Sequence, residues 1–222
     1  MMNDYYTKKD FINELDLDQE RYDKIPSNEN IQKTVKNIED QNIEVKLVKN
    51  KEKALNYLKK TINEDITINM GHSTTLEEIG FIDYLKNQQH PWKNWNNKVR
   101  SIDNEEKRMK ARREGMVVNT FLDSPNAISK SGELIGVNAG GSGIGAWPYS
   151  AKNLILVSGV NKIVESWQEA INRVKKFVLP LENQRALKTY GSKSKIGKMI
   201  SYEFETTKNR TKLLLIKKRL GF

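Results

Sequence analysis

Ile66-Thr67-Ile68-Asn69-Met70-Gly71-His72-Ser73-Thr74-Thr75-Leu76 is the stretch on which the reading of this chain turns. Its first five residues form an apolar, β-branched run that is short for a helix, and a glycine closes it. The expected structure is a buried strand entering a glycine turn. Thr74 or Thr75 can then cap a helix that continues through Leu76, Ile79 and Tyr84-Leu85. Strand, tight turn and helix in succession are the repeating unit of an α/β fold.

The same alternation extends in both directions. Upstream, Lys51 to Ile62 has the spacing of an amphipathic helix, Ile43 to Val48 alternates like a strand, and Ser27 opens a helix through Ile31, Val35 and Ile38. Residues 4–23 carry Phe11, Ile12 and Leu15 at helical spacing and stop before Pro26, which predicts a further helix. Downstream, Ile102 to Glu114 reads as a charged helix. Strands are expected at 116–120, 133–137 and 153–158, the last being the most apolar in the chain. Trp167 to Val178 predicts a helix ending before Pro180, and 199–204 with 211–216 predict a closing strand pair around Thr207-Lys208-Asn209. Such alternation implies parallel pairing through right-handed crossovers, hence an α/β fold with a three-layer α/β/α, Rossmann-like sheet. No internal repeat or clear second domain is evident. Residues 1–222 are expected to form one domain with an N-terminal helical segment, 4–42, and a basic C-terminal segment, 183–222.

Composition excludes several kinds of chemistry. Without cysteine there is no disulfide framework, thiolate-held cluster or catalytic thiol. No segment approaches the roughly 18–20 consecutive apolar residues that span a bilayer, and Met1 to Phe11 lacks the apolar core of a signal peptide, so a cytoplasmic location is expected. The net charge of +10 is local. Residues 1–182 hold 27 basic and 26 acidic side chains, a balance of +1, whereas residues 183–222 hold 11 and 2, a balance of +9.

In open α/β sheets, ligands sit beyond the carboxyl ends of the strands. Four loops fall at such places. Gly71, Ser73, Thr74 and Thr75 form a small hydroxyl-rich turn that either holds an anion or serves as a helix cap, with Glu78 completing a capping box. Asp123-Ser124-Pro125-Asn126 follows a strand, and Asp123 there is read first as an Asx turn. Asn138-Ala139-Gly140-Gly141-Ser142-Gly143-Ile144-Gly145 is dense in glycine but matches neither a dinucleotide fingerprint nor a P-loop; a flexible connection is the alternative. Asn161 and Lys162 follow the strongest strand, where a lysine can neutralise an anionic ligand. His72 and His90 are too few for a metal site. Trp167 is assigned to the core, and Trp92, Trp95 and Trp147 to the walls of a cleft.

Taken together, Gly71-His72-Ser73-Thr74-Thr75-Leu76-Glu77-Glu78-Ile79-Gly80, Asp123-Ser124-Pro125-Asn126-Ala127-Ile128 and Gly159-Val160-Asn161-Lys162-Ile163-Val164 resemble the lactate-utilisation (LUD) domain family. Ala170-Ile171-Asn172-Arg173-Val174, Pro180, Asn183 and the ending Leu220-Gly221-Phe222 add to the resemblance, which covers about residues 5–222 and is nearest to the stand-alone lactate utilisation protein C-like members. It implies a fold of the sugar-phosphate isomerase, deaminase and CoA-transferase type. Two departures stand out. The Asn and Arg that relatives commonly carry in the glycine loop are absent after Asn138, and so is the cysteine cluster that many relatives place before the closing strands.

The leading functional expectation is a protein that binds a small anionic metabolite, a carboxylate or phosphate ester, in connection with L-lactate utilisation. If it is catalytic, Glu77 or Asp123 is the candidate general base, and Lys162, with backbone N–H groups near Gly140 and Gly141, stabilises an oxyanion. Candidate ligand contacts are Gly71, Ser73, Thr74, Thr75, Asn126, Asn138, Gly140, Gly141, Ser142 and Asn161, with no metal and no cofactor. The alternative is a non-catalytic accessory subunit of an iron–sulfur lactate-oxidising complex. A homo-oligomer is open to either reading. Nucleic-acid binding, suggested by the charge, lacks any reading motif.

Overall fold

The computed structural model describes residues 6–222. In chain order, a helical turn at Gln19–Tyr22 (α1) and the helix Asn28–Asp40 (α2) precede β1 (Glu44–Val48), α3 (Lys51–Thr61) and β2 (Thr67–Met70). Next come α4 (Thr74–Glu78), α5 (Phe81–Asn87), β3 (Lys93–Asn94), α6 (Trp95–Arg100), α7 (Glu105–Glu114) and β4 (Thr120–Asp123). Then follow β5 (Ala127–Ser129), β6 (Leu134–Asn138), β7 (Asn153–Gly159), β8 (Ile163–Val164), α8 (Trp167–Arg173), α9 (Leu179–Tyr190), β9 (Lys198–Tyr202) and β10 (Thr211–Ile216).

Six strands form a parallel central sheet in the order β1-β10-β7-β4-β2-β3. Their side chains alternate between two cores. Phe121, Leu154, Leu156, Leu213 and Leu215 point to one, and Leu122, Ile155, Val157, Leu214 and Ile216 to the other. Both faces are covered, so the inner strands β7 and β10 read as nearly continuous apolar runs rather than alternating ones. Ala54 and Leu58 of α3, Leu76 of α4, and Phe81 and Leu85 of α5 close one face; Ile31 and Ile38 of α2 lie on the other. The α/β class with helices on both faces is therefore what the sequence led us to expect.

A second sheet was not anticipated. It has the order β8-β5-β6-β9, packs beside α2 on one face of the central sheet, and is covered outside by α8, α9 and Phe11. Here the expected closing strand pair is corrected. β9 pairs antiparallel with β6, from Leu134↔Tyr202 to Asn138↔Lys198, while β10 lies parallel between β1 and β7. The physical reason is burial. Leu213-Leu214-Leu215-Ile216 is fully buried and needs cover on both faces, which only the interior of the central sheet provides, whereas β9 leaves Lys198 and Met199 exposed.

Three further expectations are corrected. In the predicted helix 4–23, Asp4 and Tyr5 lie outside the described residues; beyond them the segment is irregular, with one 3₁₀ turn at Lys8–Asp10 and α1. Phe11 is nonetheless buried, with Ile12 and Leu15 packed nearby, because the buried Lys8 ammonium grips Asp23 at 2.7 Å and holds the segment against the body. The apolar spacing reported burial, which an irregular segment satisfies equally well. The helix after Trp167 does not stop at Pro180, but runs through a π-helical turn, Val174–Val178, into α9, whose first turn accepts the proline. The tryptophan assignments are reversed: Trp147 and Trp92 are buried in the two cores, while Trp167 is 43% exposed and donates to Ser201 Oγ.

Candidate functional site

β7, β4 and β2 are adjacent in the central sheet, so the loops after their carboxyl ends emerge side by side. They open on a cleft of about 430 Å³. Ser73, Thr74 and Thr75 after β2, Ser124 and Asn126 after β4, and Lys162 after β7 all line it. Asn138 and Gly140 reach it from the end of β6 in the second sheet, and Phe222 from the segment after β10.

Lys162 is the centre of this arrangement. It is 1% exposed, and its ammonium donates to Ser124 Oγ (2.9 Å), Pro125 O (3.0 Å), Thr75 Oγ1 (3.2 Å) and Phe222 O (3.2 Å). Among the described residues it forms no ion pair with an aspartate or glutamate. Burial lowers its pKa well below the usual lysine value, and the neighbouring cations Arg173 and Lys8 act in the same direction. Arg173 is itself fully buried, with Nε donating to Tyr22 O, Nη1 to Asn126 O, and Nη2 without a hydrogen-bond partner among the described residues. Gly221, at φ +58, is fitted so closely that an added Cβ would lie 2.3 Å from Thr75 Oγ1.

The Ser73 hydroxyl caps α4 by accepting from Leu76 N at 3.2 Å, as the capping reading has it. Glu78 closes no capping box and instead accepts from Gly221 N at 3.0 Å. Glu77 lies behind the cleft in a side pocket of about 180 Å³, whose wall includes Gly71 and shares His72 and Ser73 with the cleft. Its Oε1 is 3.4 Å from His72 Nε2, and its buried Oε2 has no hydrogen-bond partner among the described residues. Burial pushes the Glu77 carboxyl up to about 7. The His72 imidazole is half-exposed, and desolvation, reinforced by Arg185, pushes it down to about 4.

The remaining candidates fall outside the cleft lining. Asp123 is buried, accepts from Ser124 N (2.8 Å) and Trp147 Nε1 (2.9 Å), and packs where a Cβ on Gly71 would lie, at 2.7–2.8 Å. Burial raises its carboxyl to about 7. Asn161 joins Asp23 Oδ1 to Leu220 N. Gly141 donates its N–H to Asn138 Oδ1 at 2.6 Å, and Ser142 is exposed on the same loop.

Sequence reasoning missed the opposite wall. Val174, Val178 and Leu179 come from the π-helical turn and the start of α9, and Arg185 of α9 is held bidentately by Glu182 at 2.7 Å. Residues 192–196 complete the wall with Lys193 and Lys195, so part of the basic C-terminal segment borders the cleft. Val174 stands in a stretch that carries the family resemblance, but nothing local marks it, Val178 or Leu179 as lining a cleft, and only the charge imbalance of 183–222 hinted at Lys193 and Lys195. Among the described residues there is no cluster of His, Cys, Asp and Glu suited to a metal ion, and no helix is long and apolar enough to cross a membrane.

Comparison with known proteins places these observations in a family. The family profile described as the LUD domain matches residues 31–216. Among solved structures, a DUF162 family protein from Deinococcus radiodurans is similar, with a TM-score of 0.53 and 10% sequence identity over 85% of this chain and 96% of that one. At that identity the likeness is one of fold. No curated protein matches the sequence.

Proposed function

We propose that this chain, which belongs to the LUD domain family, binds a small anionic metabolite, a carboxylate or phosphate ester, in the cleft over Lys162. One observation carries the reading: Lys162 is buried at the cleft and, among the described residues, is ion-paired with no aspartate or glutamate. Buried charge is costly unless it is paired, and an anion entering the cleft would supply the missing partner. The hydroxyls of Ser73, Thr74, Thr75 and Ser124 and the amides of Asn126 and Asn138 would orient it. In an isomerase-like or acyl-transfer-like reaction, Glu77 would exchange a proton with the ligand through His72, and Lys162 would face the developing oxyanion. A link to L-lactate utilisation follows from the resemblance and makes L-lactate the first compound to test.

The test is calorimetric titration with L-lactate, inorganic phosphate and small phosphate esters, run on the native chain and on Lys162→Gln. Binding by the native chain, with at least tenfold loss in a variant whose circular dichroism is unchanged, is expected. Equal affinity in both proteins would refute the role of Lys162, and absence of binding by every anion would refute the reading.

A further inference from the structure

We propose that the ligand of this cleft is an amphipathic anion: a carboxylate or phosphate ester joined to an apolar arm, rather than a compound as small as lactate. This rests on the anion reading above and adds the class of molecule. Polar groups of the cleft come from the loops after β2, β4 and β7, whereas its apolar surface comes from other elements: Val137 of β6, Leu179 of α9, Ile196 and Phe222, with Val174 and Val178 of the π-helical turn packed behind them. Val174 and Val178 are 0% and 3% exposed, and they extend the core beneath α8 and α9 to the cleft. The apolar wall is therefore backed by packed residues and is in place before any ligand arrives.

Size points the same way. A cleft of about 430 Å³ falls in the ~300–1,000 Å³ range that accommodates drug-sized ligands. A three-carbon hydroxy acid presents one methyl group to such a wall and leaves most of it wet. An arm of roughly four to eight carbons would cover it, each methylene adding transfer free energy.

The experiment is a titration series of acetate, L-lactate, hexanoate and octanoate, with octanol as the uncharged control, on the native chain, Leu179→Asn and Lys162→Gln. Leu179 is only partly buried, so a polar side chain is tolerated there. Affinity is expected to rise roughly fourfold per methylene along the series, the value that burial of a CH₂ predicts. Leu179→Asn should flatten that dependence, and Lys162→Gln should weaken every acid. Equal affinity for L-lactate and octanoate would overturn the amphipathic class and leave the anion reading standing. Octanol binding as tightly as octanoate, or no binding by any acid, would overturn both.

Discussion

The indole N–H of Trp147 donates to the Asp123 carboxylate across 2.9 Å, joining the helical turn after the glycine loop to the end of β4. Both residues are buried, and this contact ties the wall of the central sheet to the segment that follows the second one.

Trp147→Phe removes that donor. Asp123 is raised to about 7 by burial, so it is largely protonated below that pH and ionised above it. A buried carboxylate needs its donors more than a carboxylic acid does, by ~1–3 kcal/mol. The stability deficit of the variant, measured by urea unfolding, should therefore grow as pH rises from about 5.5 to 8.5, above a constant loss of packing. A deficit independent of pH would refute this account.

Glu77→Gln should stabilise the protein at alkaline pH. The folded pKa of about 7 lies above the ordinary 4.5, so the native carboxyl costs stability progressively as pH rises from 4.5 to 7 and fully beyond it. The neutral amide carries no such cost. We expect the variant to exceed the native chain by about 1–2 kcal/mol at pH 8, allowing for screening, and to converge with it near pH 5. Chemical denaturation at both pH values decides the matter.

Glu205 anchors the turn between the two sheets. It accepts from Tyr202 OH, Thr211 Oγ1, Thr207 N and Arg210 Nη1, and these bonds, outweighing its burial, hold it down to about 2. Arg210 also donates to the carbonyls of Ala146, Trp147 and Ala151. Glu205→Ala leaves that guanidinium buried without its carboxylate, at a cost of ~3–5 kcal/mol. Since the folded pKa is depressed, the contribution of Glu205 is complete above pH 4.5 and fades as pH falls towards 2, so the difference between variant and native chain should shrink in acid.

Asn161→Ala cuts the tie from Asp23 to Leu220 N. The expected cost is ~1–3 kcal/mol for the groups left unpaired. Because Phe222 lines the cleft, hydrogen–deuterium exchange should quicken in residues 217–222, and anion affinity should fall with it. Unchanged exchange there would show that the tie does not hold the segment.

The alternating run at 43–48 and the apolar runs at 66–70 and 153–158 were legible because each carries its strand signal in its own composition, and they became β1, β2 and β7. β4 was displaced: its expected start, 116–118, lies in a turn with Val117 74% exposed, and the strand runs Thr120–Asp123. Met-Val-Val has strand propensity wherever it stands, and only the neighbouring strands select which residues pair. In the cleft, the hydroxyl turn at 73–75 and Lys162 could be named because loops at strand ends have a known place in such sheets. The wall made by Val174, Val178 and Leu179 could not, since an apolar residue that lines a cleft has the same local signature as one in a core.

By itself, the sequence determined the class of fold, the three strands of strongest apolar character and a resemblance to the family, because hydrophobic period, turn chemistry and motif wording are local properties of the chain. The tertiary structure alone decided that β10 enters the central sheet, that His72 meets Glu77, and that Lys162 is surrounded by Thr75, Ser124 and Phe222. These last partners stand 87, 38 and 60 residues from Lys162 along the chain. Which oxygen meets a buried ammonium, and whether a carboxylate is among them, depends on how whole layers pack. No local pattern encodes it.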